Sequence, residues 1–163
     1  TLRRVVEGAD LDLAGVTTFL ASGNVIFEIG PRTPPVDELE AALDDAFLGQ
    51  LGYEVATWIR TDAEVAAIAG SDVFAAETPG PGDRVHVAFH RRTLGPAAVD
   101  ALAALSDAGN VLRVDGRELY WLSRGPISES TVTGAAIGRA AGQPATMRNM
   151  NTVRRLAAKY PPA

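Results

Sequence analysis

Twice along its length the chain runs through apolar patterns in the same order, and this repetition limits its fold more than any other feature. In the first half, Leu2, Val5, Val6 and Ala9 have helical spacing. Two β-branched or aromatic runs follow, 16–21 and 25–29, split by Ser22-Gly23-Asn24, a tripeptide suited to a tight hairpin. After Pro31 to Pro35, the residues Val36, Leu39, Leu43, Phe47 and Leu51 mark one face of a helix. Asp37, Glu38, Glu40, Asp44 and Asp45 are expected on its wet side. Glu54 to Arg60 reads as a strand, and Thr61-Asp62 caps a short helix through Ala69.

The second half repeats the order. Arg84 to His90 alternates, with Val85, Val87 and Phe89 on one face, and reads as a half-buried strand. Residues 96–108 have helical spacing, and strands at 111–114 and 117–123 flank the turn signal Asp115-Gly116. A helix at 131–141, a short strand at 145–147 and a last helix at 153–160 stopped by Pro161-Pro162 complete it. The halves therefore read α-β-β-α-β and β-α-β-β-α-β. They coincide if one strand is missing before Thr1. The expected class is α+β: a tandem duplication of ferredoxin-like (βαββαβ) units, each an antiparallel sheet with helices packed on one face, the first strand of the first unit being absent from the sequence. Residues 1–77 form the first unit plus a connecting helix and 84–163 the second unit plus a C-terminal helix. The break Thr78 to Asp83 (78–83) is the linker. In this topology the first strand is central, and an empty central slot leaves two rows of backbone groups unpaired.

Function classes are narrowed mainly by exclusion. There are no cysteines, which removes disulfides, thiol catalysis and thiolate zinc sites and fits a reducing, cytoplasmic setting. No apolar run approaches the roughly 20 residues of a membrane span, and no signal peptide is evident. The chain lacks an initiator Met and reads as beginning inside a longer one. Net charge is −5, unevenly spread: residues 1–80 hold 4 Arg against 14 acids, and residues 81–163 hold 11 Lys/Arg against 6. An anionic partner would therefore meet the second half.

Arg148, Asn149, Asn151 and Thr152 precede the last helix, where caps, free N–H groups and a guanidinium together suit a small anion; plain helix capping is the simpler account. Ser22 and Asn24 can present an amide and a hydroxyl at the hairpin, though such residues usually serve the turn itself. Ser130 and Thr133 lead into a helix, where capping is the default. His86 and His90 share a strand face roughly 13 Å apart, too far to chelate one metal. No metal site, nucleotide fingerprint, cofactor or catalytic residue is assigned.

Four segments resemble a known family. They are Thr18 to Phe27 (TFLASGNVIF), Val55 to Thr61 (VATWIRT), Arg84 to Phe89 (RVHVAF) and Ala145 to Val153 (ATMRNMNTV). Over essentially its whole length the chain resembles the bacterial family catalogued as domain of unknown function 1697, whose members carry YIQSGNVVF-like and TTRNWNTV-like motifs. The resemblance implies the duplicated ferredoxin-like fold and no established activity. That family opens with a strand and a glycine-rich loop, which are missing here. It also carries Ser-Lys-Leu-Thr where this chain has Ser130-Thr131-Val132-Thr133, and an aromatic where this chain has Met150.

The expectation is a non-enzymatic binding or regulatory module for a small anionic ligand or a protein partner. Alternatives are nucleic-acid binding through the basic second half, disfavoured by the overall charge, and an enzyme using Ser, Thr, Asn or Arg.

Overall fold

Helical spacing in the first residues becomes α1 (Leu2–Gly8), and the hairpin signal becomes β1 (Leu13–Phe19) and β2 (Asn24–Ile29), in a computed structural model that describes residues 1–21 and 23–163. The two strands pair antiparallel, with a bulge between Ala14 and Thr17 where Gly15 takes φ +59°. The Asn24 side-chain amide donates to the Phe19 carbonyl at 3.1 Å and helps close the hairpin. Helix α2 (Val36–Leu51) starts after Pro35 and stops at Gly52, whose φ of 77° gives a left-handed cap. Val5, Val6, Val16, Leu39, Leu43 and Phe47 form the core of this unit, Thr1–Ile59. Val25, Phe27, Val55 and Ile59 pack at its border and are only half-buried.

The strand expected over Glu54 to Arg60 does not form. A strand is made by its neighbour, and no described strand pairs with this segment. Its backbone is met by acids of α2 instead. The Thr57 N–H donates to Asp44 Oδ1 at 2.9 Å, and the Ile59 N–H to Glu40 Oε1 at 2.8 Å. This explains why Glu40, expected on the wet side of α2, is buried.

The second unit, Arg60–Ala163, begins with α3 (Asp62–Ala69), whose capping box joins Thr61 and Glu64. It continues with a 3-10 turn at Ala75–Glu77, β3 (Arg84–His90), α4 (Pro96–Ala103), β4 (Asn110–Asp115) and β5 (Glu118–Ser123). A second 3-10 turn at Ile127–Glu129, α5 (Gly134–Ala141), β6 (Ala145–Asn149) and α6 (Met150–Lys159) complete it. The sheet order is β4-β5-β3-β6, antiparallel throughout, so β3 lies inside.

Helices on one face only was the expectation, and the second unit departs from it. Ala88, Leu119 and Trp121 pack with Leu102 and Ile137 of α4 and α5, while Val87, Tyr120 and Leu122 on the opposite face are equally buried. Helix α6 contacts β3 and β6, and α3 packs on α6. Buried on both faces, β3 is not the half-buried strand its alternation suggested.

The contact division falls between Ile59 and Arg60, ahead of the 78–83 turn read as the linker, because arginines hold 60–83 to the second unit. Arg113 forks onto Glu77 and also reaches the Val73 carbonyl; Arg117 pairs with Glu64, and Arg124 with Asp83. Arg60 pairs with Glu118 at 2.6 Å. With the boundary drawn there, the units hold 3 basic against 10 acidic residues and 12 against 10. Much of the apparent basicity of the second half is thus balanced within its own unit.

Candidate functional site

Cross-strand pairs lie on one face of a sheet. At the end of the second sheet where β4 begins and β5 and β6 finish, that rule lines up Asn110 with Ser123, and His86 with both Trp121 and Asn149. Buried Asn110 is the hub. Its Oδ1 accepts from Trp121 Nε1 at 2.9 Å and from the Ser130 hydroxyl at 2.8 Å. Its Nδ2 donates to Asp107 Oδ1 at 2.9 Å and to Thr131 Oγ1 at 3.3 Å. The Thr131 hydroxyl closes the ring by donating to Asp107 Oδ2, and the Gly109 N–H donates to Asp107 Oδ1 at 2.9 Å. Hydrogen bonds from Thr131, Asn110 and Gly109 hold the Asp107 carboxyl below its ordinary pKa. A groove of about 420 Å³ opens here, lined in part by Asp107, Asn110, Ser123, Arg124, Ser130 and Thr131.

Of the residues singled out from sequence, Ser130 and Asn149 come to this end of the sheet. Asn149 caps α6, accepting the Asn151 N–H at 2.8 Å. Asn151 and Thr152 lie within the first turn of α6, which begins earlier than its apolar spacing implied. Arg148 projects from the other face of β6, opposite Val87. Its Nη1 donates to Thr146 Oγ1 at 2.7 Å and to the Met147 carbonyl at 2.9 Å, and burial lowers its pKa. Thr133 caps α5, accepting from the Ala136 N–H at 3.1 Å. Asn24 belongs to the first unit, and Ser22 lies outside the described residues.

Asp107, Asn110 and Trp121 were not legible as site residues. Asp107 and Asn110 look like turn residues in S-D-A-G-N, and Trp121 like core. Their convergence depends on strand pairing, which no local pattern prints.

His86 and His90 stand on the same face of β3, and burial lowers both pKa values. His86 Nδ1 and His90 Nε2 are buried without a hydrogen-bond partner, while His90 Nδ1 lies 3.2 Å from the Arg117 carbonyl, consistent with a neutral ring protonated at Nδ1. The unfolded chain therefore takes up protons before the folded one does. Stability from the neutral rings is full above the ordinary histidine pKa of about 6.5 and declines as pH falls below it, by at most about 1.4 kcal/mol per pH unit per ring. Denaturation midpoints measured from pH 7.5 to 5 are expected to fall below about pH 6.5. The slope should flatten in His86→Gln/His90→Gln; an unchanged slope would contradict the assignment.

Among the described residues, no group of three His, Cys, Asp or Glu could hold a metal, and no helix is long and apolar enough to cross a membrane. No curated protein and no solved structure gives a significant match. A family profile described as "Protein of unknown function (DUF1697)" matches residues 1–120, which include Asp107, Asn110 and His86 but end before Ser130 and α6. With that profile spanning well over half of the sequence, the chain belongs to the DUF1697 family of proteins of unknown function.

Proposed function

We propose that the protein is a non-enzymatic binding module that takes a small anionic ligand at the start of α6. One observation carries this reading: the half-buried Arg148 guanidinium is held by Thr146 and Met147, two residues before the first turn of α6, where the Asn149 side chain meets the Asn151 N–H. Arg148 precedes that helix start by two residues in the chain, and a cation and a helix N-terminus each suit a phosphate or carboxylate. A bacterial cytoplasmic setting belongs to the same reading, supported by the resemblance and the lack of cysteine. Nucleic acid is disfavoured as a partner, because Arg113, Arg117 and Arg124 are engaged with Glu77, Glu64 and Asp83.

The fold reading that goes with it is a ferredoxin-like second unit and an incomplete first copy without its opening strand. The order helix, hairpin, helix in 1–51 matches that of 96–141, which supports it. The half-buried Val25, Phe27, Val55 and Ile59 support it too, as residues bordering a core short of one strand.

Thermal unfolding in the presence of phosphorylated metabolites is the test of the binding reading. At least one is expected to raise the midpoint, and Arg148→Ala should abolish the shift. Uniform silence across the panel, or a shift that survives Arg148→Ala, would reject the site.

A further inference from the structure

The groove at the end of the second sheet presents a charge without a counter-charge. Asp107 is exposed, yet its carboxylate is fixed by three neutral donors: the Thr131 hydroxyl, the Asn110 amide and the Gly109 N–H. No ion pair involves it among the described residues. The nearby cation Arg124 is engaged elsewhere, its Nη1 on Asp83 Oδ2 at 2.7 Å and its Nη2 on the Glu77 carbonyl at 2.8 Å. Oδ1 accepts two hydrogen bonds and Oδ2 one, so Oδ2 retains acceptor capacity. Glu129 lines the same groove and adds a second negative charge. One wall of the groove is built on buried Asn110.

We propose that this groove binds a small polar molecule carrying a primary ammonium group, which donates to Asp107 Oδ2 while the rest of the molecule lies along the Ser123–Thr131 wall. A primary ammonium brings three donors and one positive charge, matching the acceptor-rich, uncompensated carboxylate. The site is separate from the anion site at the start of α6 and selects the opposite charge.

The test pairs amines with their hydroxyl counterparts on the whole chain, reading amide shifts by NMR: glucosamine against glucose, and ethanolamine against ethylene glycol. The amines are expected to shift the amides of 107–110 and 123–131, weakening as salt is raised. The hydroxyl counterparts should shift them at least tenfold less at equal concentration. Asp107→Asn, which keeps the oxygen facing Asn110 and Gly109, should abolish the amine response. Equal responses to amine and hydroxyl compounds, or no response to either amine, would overturn the proposal. The wild-type comparison decides even if the variant fails to fold.

Discussion

Glu118→Ala is expected to destabilise the second unit by about 3–5 kcal/mol, because it breaks a buried ion pair. The Arg60 and Glu118 side chains are only 4% and 13% exposed, and Arg60 Nε donates to Glu118 Oε1 at 2.6 Å. The same guanidinium donates from Nη2 to the His90 carbonyl at 2.6 Å and lies 5.4 Å over the Phe89 ring. Those contacts persist in the variant, so Arg60 cannot swing out to water without giving them up. Replacing both partners by apolar residues, as in Arg60→Met/Glu118→Leu, removes both charges together and should recover most of the loss. Urea denaturation followed on the β3 and β5 amide signals separates the two variants. Equal stability of the single and double variants would show that the pair is solvated and contributes little.

Phe47→Ala is expected to remove about 3–5 kcal/mol from the first unit. Phe47 is 3% exposed and shares its core with five other buried apolar residues. A unit the size of Thr1–Ile59 has a total stability of about 3–9 kcal/mol, so the loss is expected to leave it largely unfolded. The amide signals of β1, β2 and α2 report this directly, as collapse toward random-coil positions at 25 °C. Phe47→Leu, which keeps most of the volume, should retain dispersed signals. A folded first unit in Phe47→Ala would mean its core is held by more than the cluster around α2.

These two sites differ in how far the sequence discloses them. Phe47 lies on a 3.6-residue stripe with Leu39 and Leu43, and its inward position follows from that spacing alone. The Arg60–Glu118 pair spans 58 positions and leaves no local trace. Helix starts were legible where a side chain does the capping, as at Thr61, since the chemistry sits within four residues. Glu54 to Arg60 has strand composition and forms no strand, because composition cannot say whether a neighbour will arrive. The same limit applies to the candidate sites. Asn149 and Ser130 were visible as polar residues beside helices, but their link through Asn110, Trp121 and His86 follows from the register of β4, β5, β3 and β6.

The arginine clasps also set an order of events in time. Each joins residues 36 to 58 positions apart, whereas the β4–β5 hairpin that carries Arg113, Arg117 and Glu118 closes over a two-residue loop. Short loops close orders of magnitude faster than long ones can be captured. The hairpin is therefore expected to assemble first and to offer a row of charges onto which the 60–83 segment docks later. Unfolding runs the sequence backwards, and a protease acting during brief openings would meet Thr78 to Asp83 before any strand of the sheet.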